Sequence, residues 1–258
     1  MQTVILAGGY GTRIMEETIS KPKPMIEIGN KPILWHIMKI YSSYGFNDFI
    51  ICLGYKSNYV KEYFIDYLYN NNDIEISTTD KKINVINKLH SEKWRIKLID
   101  TGLHTKTANR LLKISKYINS NNFFMTYGDG LSNVNLKELL KFHKESKKLA
   151  TVTAVKPIPR FGNILIKNNE VIKFKEKNQH SKFELINGGF FVLNKKIFKI
   201  IDSTKNQMWE DGPMDDLTKN KQLAGFYHDK FWHPIDTLRD KKYLDELWDT
   251  NKAPWKCW

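Results

Sequence analysis

Cysteine is scarce in this sequence, and neither of its two residues belongs to a pattern that indicates a role. Cys52 lies in an apolar run, and Cys257 lies next to the C-terminus. Two isolated cysteines exclude a disulfide framework and give no metal-ligand spacing. We therefore expect neither of them to carry function.

Long hydrophobic runs are also missing, although hydrophobic residues make up 41% of the 258 positions. No stretch approaches the roughly 20 apolar residues that a membrane-spanning helix needs. The sequence opens directly on a strand pattern, without a basic leader or a cleavage site. These features predict a cytoplasmic protein whose core is large enough for one α/β domain.

Clustered positive charge is a third absence, despite 41 Lys and Arg against 28 Asp and Glu and a formal net charge of +13. The lysines are scattered among Asn and Ile, with no basic block, helix-turn-helix or recognisable RNA-binding sequence. This distribution ranks nucleic-acid binding last among the possible functions. A diffuse positive field favours anionic small molecules instead.

Short apolar strand patterns alternate with amphipathic helical patterns along the chain. We predict strands over residues 3–7, 48–53, 97–100, 123–127 and 150–155, and helices near 33–44, 60–69 and 136–146. This alternation is typical of a mostly parallel, doubly wound α/β sheet flanked by helices. Ligands bind at the carboxyl ends of such strands, where we expect Gly8, Thr101 and Gly128.

The most informative segment follows the first predicted strand. An apolar run leads into a turn with three glycines within four positions, and the turn ends at Arg13; Lys21 and Lys23 follow closely. Glycines let backbone N–H groups approach an anion without interference from a Cβ atom, and arginine offers a planar fork of donors to phosphate oxygens. The segment therefore predicts a polyphosphate cradle.

Two commoner glycine motifs do not fit this turn. A dinucleotide fingerprint that starts at Gly9 would need a small residue in place of Ile14. A Walker A loop would need Gly-Lys-Ser/Thr where residues 11–13 read Gly-Thr-Arg. A plain turn between a strand and a helix would explain the glycines, but not Arg13 and Lys23 together.

Two acidic residues that follow distant strand patterns are the second chemical feature. Asp129 follows the strand at 123–127 in the run YGDG, and Asp236 lies far downstream in the run WHPIDTLRD. Carboxylate oxygens are ligands that Mg²⁺ prefers, with phosphate oxygens and water completing its octahedron. The assignment of Asp236 depends mostly on a family resemblance.

Several runs of the chain carry that resemblance. The runs LAGGYGTR and KPKPM resemble the signature of the sugar nucleotidyltransferases, and KPILWHIMK, DFIICLGYK, INGGFFVL, DTLRDK and APWKCW resemble the glucose-1-phosphate cytidylyltransferases among them. The resemblance covers nearly the whole chain. It implies one nucleotidyltransferase domain of Rossmann-like type over residues 1–258, in which the part from about 156 to 258 forms the sugar-binding side and the oligomer contacts.

The resemblance also implies an activity and its partners. Members of this family transfer CMP from CTP to α-D-glucose 1-phosphate by in-line, Mg²⁺-dependent attack, which gives CDP-glucose and pyrophosphate for surface polysaccharide biosynthesis. They are homo-oligomers, and neither nucleic acid nor a membrane is an expected partner. Two alternatives stay open: a nucleotidyltransferase for another base or sugar phosphate, and a non-catalytic nucleotide-sugar binding protein.

Site residues follow from the resemblance by position. Arg13 would contact the leaving pyrophosphate and Lys23 the α-phosphate, which makes them the expected catalytic residues. Asp129 and Asp236 would bind Mg²⁺. The other nucleotide contacts would be Leu6, Ala7, Gly8, Gly9, Gly11, Thr12, His104, Asn109 and Gly128, and the sugar-phosphate contacts would be Arg160, Gly162, Glu176, Lys177, Asn187 and Gly188.

One loop departs from the family pattern. Members usually have TGGR where residues 107–110 read TANR. In related nucleotidyltransferases this loop passes along the base, so we expect His104 and Asn109 near the edge that distinguishes cytosine. An asparagine side chain can both donate and accept hydrogen bonds. On this interpretation, replacing Asn109 with glycine would change the preference between CTP and UTP.

Overall fold

The computed structural model describes residues 1–87, 92–157, 163–167, 170–175 and 185–258. The strands are β1 (Gln2–Leu6), β2 (Glu27–Ile28), β3 (Lys31–Pro32), β4 (Asp48–Leu53), β5 (Asp73–Ser77), β6 (Lys82–Asn87), β7 (Arg95–Asp100), β8 (Asn122–Tyr127), β9 (Gly130–Ser132), β10 (Ala150–Val155), β11 (Asn163–Lys167), β12 (Glu170–Lys175), β13 (Ile186–Asn194), β14 (Leu223–His228) and β15 (Trp232–Pro234). The α-helices are α1 (Met15–Thr18), α2 (Ile33–Ser43), α3 (Ser57–Asn70), α4 (Thr107–Lys113), α5 (Leu136–Ser146), α6 (Pro213–Lys219) and α7 (Leu238–Asp249), and short 3₁₀ helices lie at Thr12–Ile14, Lys23–Met25, Ser115–Tyr117 and Lys195–Lys199.

A seven-stranded sheet in the order β14-β10-β13-β8-β1-β4-β7 forms the centre of the protein. The strands β8, β1, β4 and β7 run parallel, as do β10 and β14, whereas β13 is antiparallel to both of its neighbours. This arrangement confirms the predicted α/β fold with a mostly parallel sheet. From β1 the chain builds outward to β4 and β7, and it then returns to the other side of β1 with β8. Such a reversal leaves a crevice at the carboxyl ends of the two strands.

The two faces of the sheet bury separate hydrophobic cores. Successive residues of a strand point to opposite faces, so Ile5 and Ile51 pack in one core with α2, α3, α5 and α7. Val4 and Ile50 pack in the other core, with α4 and α6. Within the described part of the chain, every helix is too short or too polar to span a bilayer.

The C-terminal segment packs on α2 through a cluster of aromatic rings around His36. The Trp248 ring lies 4.7 Å from the His36 ring, centroid to centroid, and Trp255 Nε1 donates a hydrogen bond of 3.3 Å to His36 Nδ1. His36 Nε2 in turn donates to the carbonyl of Ile28 at 2.9 Å. These two bonds define a neutral imidazole, and burial lowers the pKa of His36 to about 4.

Because of His36, we expect the free energy of unfolding to fall in acid. The pKa of its unfolded form is near 6.5 and that of its folded form is about 4, so its full contribution is present above pH 6.5 and is lost as the pH falls toward 4. The loss should reach about 2 kcal/mol by pH 5. Urea unfolding at pH 7 and pH 5 should show a smaller loss in a His36→Gln variant than in the wild type. Equal losses in the two proteins would contradict this prediction.

Candidate active site

A cavity of about 650 Å³ opens at the carboxyl ends of β1 and β8, where the strand order reverses. Many of the residues predicted to bind nucleotide or metal line it together. These are Leu6, Ala7, Gly8, Gly9, Gly11, Thr12, Arg13, Lys23, His104, Gly128 and Asp129. Residues more than 100 positions apart in the sequence thus meet at one crevice.

The glycine turn after β1 forms the floor of this cavity. Gly11 has a φ of +68°, and a Cβ atom there would lie 2.9 Å from Lys23 Cβ. A Cβ atom at Gly8 would collide with the guanidinium of Arg110, whereas one at Gly9 would meet no protein atom within 4 Å. The protein itself thus requires glycine at Gly8 and Gly11. Gly9, in contrast, is exposed and faces open space in the cavity.

Lys23 is the centre of a charged cluster in the cavity. Its Nζ atom lies 2.7 Å from Asp129 Oδ2 and 2.8 Å from Asp236 Oδ1, and Arg13 Nη1 lies 3.3 Å from Asp236 Oδ2. Burial acts to lower the pKa of Lys23, but the attraction of Asp129 and Asp236 outweighs burial and raises the pKa. The ammonium group is therefore charged at neutral pH.

The two lysines of the KPKPM run have different environments. Lys21 Nζ lies 3.8 Å from Glu17 Oε2 and 3.7 Å from Glu27 Oε1, outside the lining of the cavity. Lys23 begins a 3₁₀ helix that directs its side chain into the cavity, where only 11% of that side chain is exposed. Position therefore favours Lys23 over Lys21 for contact with a bound phosphate.

The carboxylates of Asp129 and Asp236 suit a small divalent cation. Both have an oxygen within 2.8 Å of the same ammonium nitrogen, so they converge on one point. Within the described residues, no three or more His, Cys, Asp or Glu side chains form a group that could hold a metal. A pair of carboxylates together with substrate phosphates is a common arrangement for Mg²⁺. The donor set therefore fits Mg²⁺ bound together with a polyphosphate.

Arg110 is a site residue for which sequence reasoning predicted no role. Its side chain is buried and donates to the carbonyls of Leu53 at 2.8 Å and Gly8 at 2.9 Å, and to the Thr101 hydroxyl at 2.6 Å. These acceptors follow or end β4, β1 and β7, so one guanidinium ties three strand ends together beneath the cavity. Arg110 closes the TANR run, and its place in that run is the sequence feature that could have identified it.

Asn109 lies beside the cavity, but its side chain points to another loop. Its Nδ2 atom donates to the carbonyl of Lys205 at 2.7 Å, and its Oδ1 atom accepts from the backbone N–H of Gln207 at 2.8 Å. Asn206, between these two residues, donates to the carbonyl of His104 at 2.9 Å. Each amide atom of Asn109 thus has a partner in the 205–207 loop. Contact of Asn109 with a base stays a prediction.

Two of the predicted sugar-phosphate contacts, Asn187 and Gly188, lie within the described residues. Asn187 Nδ2 donates to the hydroxyl of Tyr127, a residue of the cavity lining, at 3.2 Å. Gly188 is enclosed by β10, since a Cβ atom there would lie 2.8 Å from Val155 Cγ1, so strand packing explains this glycine. The other predicted contacts lie outside the described residues: Arg160, Gly162, Glu176 and Lys177.

Tyr127 and Glu210 line the cavity and were also missed by sequence reasoning. The Tyr127 hydroxyl donates to Glu210 Oε1, and the Thr107 hydroxyl donates to Glu210 Oε2 at 3.4 Å. Burial and then the negative charge of Glu210 raise the pKa of Tyr127. The phenol therefore stays protonated and acts as a donor. Tyr127 begins the run YGDG, but nothing in that run connects it to Glu210, because the contact joins positions 83 apart.

The sequence matches the family model for Nucleotidyl transferase over residues 2–240. The chain belongs to this family. Among nucleotidyl transferases it is similar to the glucose-1-phosphate cytidylyltransferases of Salmonella typhimurium and Salmonella typhi, each 47% identical over the whole length of both chains. A structure of UDP-glucose pyrophosphorylase complexed with UDP-glucose has the same fold, with a TM-score of 0.68, 17% identity and coverage of 97% of this chain and 98% of that one. The crevice between β1 and β8 is thus the candidate active site of a nucleotidyl transferase.

Proposed function

We propose that the protein transfers CMP from CTP to α-D-glucose 1-phosphate, which yields CDP-glucose and pyrophosphate. The observation that carries this proposal is the convergence of Lys23, Asp129 and Asp236 on one point beside the glycine turn. The choice of substrates is supported by the two relatives that share 47% identity over the full length.

The chemistry of this transfer needs no general base from the protein. A phosphate oxygen of the sugar phosphate is already anionic at neutral pH, and it attacks the α-phosphorus of CTP in line while pyrophosphate leaves. The task of the protein is to hold two mutually repelling anions in contact and to stabilise the charge that spreads over the phosphoryl oxygens. A cavity that contains several cations suits this task.

In this proposal, Lys23 and Arg13 contact different phosphates, because their side chains are buried to different extents. The Lys23 side chain is 11% exposed and the Arg13 side chain is 76% exposed. The deeper ammonium group would contact the α-phosphate under attack, and the guanidinium at the surface would contact the departing pyrophosphate. Lys177 would hold the phosphate of the acceptor, as the family resemblance implies.

Asp129 and Asp236 would hold Mg²⁺ in this proposal. When bound there with the nucleotide, the metal would neutralise charge on the phosphate oxygens. Asp236 also contacts Arg13, so one carboxylate orients a phosphate-binding side chain as well. The proposal further includes a single domain, a homo-oligomer whose contacts come from the C-terminal part, and a cytoplasmic location, where CTP is supplied.

A screen for pyrophosphate release tests the proposed function. Four nucleoside triphosphates are combined with a panel of sugar 1-phosphates in the presence of Mg²⁺, and we expect CTP with glucose 1-phosphate to give the highest kcat/KM. A higher value with another pair would reassign the substrates. Nucleotide-sugar binding without turnover by any pair would indicate a non-catalytic binding protein.

Asn109 gives a prediction about base selection. Because its amide holds the 205–207 loop, we expect Asn109→Ala to lower kcat/KM for CTP and UTP by similar factors. His104 lines the cavity, and His104→Ala should change the CTP/UTP ratio, since one lost hydrogen bond to a base is worth roughly tenfold. Steady-state kinetics with both nucleotides measures this ratio. A shifted ratio in Asn109→Ala with an unchanged ratio in His104→Ala would contradict the prediction.

A further inference from the structure

Glu210 places a carboxylate in a cavity whose proposed ligands are both anions. Phosphate groups are repelled by such a carboxylate and attracted by Lys23 and Arg13. The part of a ligand that fits beside Glu210 is therefore a neutral group with hydrogen-bond donors. A hexose ring, which carries several hydroxyl groups, is such a group.

The oxygens of Glu210 are held in place but not saturated. Oε1 accepts from the hydroxyl of Tyr127 and Oε2 from the hydroxyl of Thr107. A carboxylate has about four lone-pair positions, so each oxygen can accept another hydrogen bond. Because both of these donors are neutral hydroxyl groups, they orient the carboxylate without removing its charge.

The position of Tyr127 indicates where Glu210 lies relative to the α-phosphorus, at which the new bond would form. Tyr127 is the last residue of β8 and lies two positions before Asp129, one of the proposed metal ligands. Its ring is close enough to Gly189 that a Cβ atom there would lie 2.6 Å from Tyr127 Cδ2, and its hydroxyl binds Asn187. Glu210 is thus connected through Tyr127 to β13, and it shares the cavity with Asp129, near which the acceptor would lie in the proposed reaction.

We infer that Glu210 accepts a hydrogen bond from a hydroxyl of the acceptor sugar and that it is a specificity-determining residue for the sugar phosphate. The inference rests on the proposed function and adds to it a recognition contact. Tyr127 is a positioning residue in this arrangement, because its phenol fixes the carboxylate that contacts the sugar.

A substrate-deletion experiment tests this inference. Glu210→Gln keeps the shape of the side chain and replaces one acceptor oxygen with a donor group. With CTP and glucose 1-phosphate we expect kcat/KM to fall by about 10- to 100-fold. Among the 2-, 3-, 4- and 6-deoxy analogues of glucose 1-phosphate, the one that lacks the recognised hydroxyl should react equally with both proteins. Asp211→Asn, which changes the exposed acid next in the chain, is the matched control and should behave as the wild type.

Each other result has a defined meaning. An equal loss on glucose 1-phosphate and on every deoxy analogue would overturn the inference, and a changed CTP/UTP ratio in Glu210→Gln would assign the carboxylate to the base instead. If thermal unfolding shows that Glu210→Gln does not fold, Tyr127→Phe is measured in its place. Its kcat/KM should fall by a smaller factor, and the fall should disappear with the same deoxy analogue. If the wild type does not turn over CTP and glucose 1-phosphate, the proposed function is wrong. The inference about Glu210, which rests on that function, is then wrong with it.

Discussion

Replacing Asp236 with asparagine is expected to lower kcat by about two to three orders of magnitude while the protein stays folded. The asparagine keeps the size of the side chain but loses the charge that faces both Lys23 and Arg13. We expect Asp129→Asn to behave similarly, because its carboxylate meets the same ammonium group. Steady-state kinetics at saturating CTP and glucose 1-phosphate measures the loss.

A second readout separates loss of metal binding from loss of folding. Calorimetric titration of Mg²⁺ in the presence of CTP should show weaker metal binding by both variants, and thermal unfolding should show an intact fold. Glu16→Gln removes an exposed acid three positions after Arg13 and serves as the control. Full turnover by either aspartate variant would remove that residue from the proposed metal site.

Lys23→Met should lower kcat by about 100-fold or more and raise KM for CTP much less. A positive charge at the α-phosphate matters most when the phosphorus is crowded by the attacking and leaving oxygens. The methionine keeps much of the side chain's length and apolar packing, so the measured loss reports the missing charge. Separate determination of kcat and KM for CTP tests this split.

Lys21→Met provides a matched control for this prediction, because Lys21 lies beside Glu17 and Glu27 outside the cavity. We also expect Mg²⁺ to raise the thermal midpoint of Lys23→Met more than that of the wild type, since removal of the ammonium leaves two carboxylates facing one another. An effect on KM alone would assign Lys23 to ground-state binding. An inactive Lys21→Met with an active Lys23→Met would exchange the roles of the two lysines.

Local patterns were sufficient for several strands and helices of the fold. The predicted strands at 48–53 and 150–155 and the predicted helix at 136–146 coincide with β4, β10 and α5. Their apolar residues repeat with the period of a strand or a helix, and that period is set by neighbouring residues alone. The glycine turn and Arg13 were recognised for the same reason, because their chemistry lies within one short segment.

Strand β13 shows where local patterns were insufficient. The predicted strands do not include it, and its adjacent Gly188 and Gly189 are residues that usually weaken a strand. In the fold, however, β13 lies between β8 and β10, and its register with β10 shifts near these glycines, as in a β-bulge. Partners more than 30 residues away in the sequence compensate for the poor local propensity.

The segment at residues 107–110 illustrates how the fold decides where each side chain points. The structure forms the helix α4 there, and residues three apart on a helix share a face. Thr107 and Arg110 therefore line the cavity, while Asn109 faces the 205–207 loop. The segment was expected to be a loop along the base, and a loop has no fixed period that would separate these faces.

The amino-acid sequence by itself determined the family, the α/β architecture and the segments that supply Arg13, Lys23, Asp129 and Asp236, because short runs of residues encode each of these. Only the tertiary structure decided that Lys23 joins the two aspartates, that Arg110 ties three strand ends together and that Glu210 meets Tyr127. These contacts connect residues between 9 and 213 positions apart. Their geometry depends on which strands pair and on which face each helix buries, and both are properties of the folded chain as a whole.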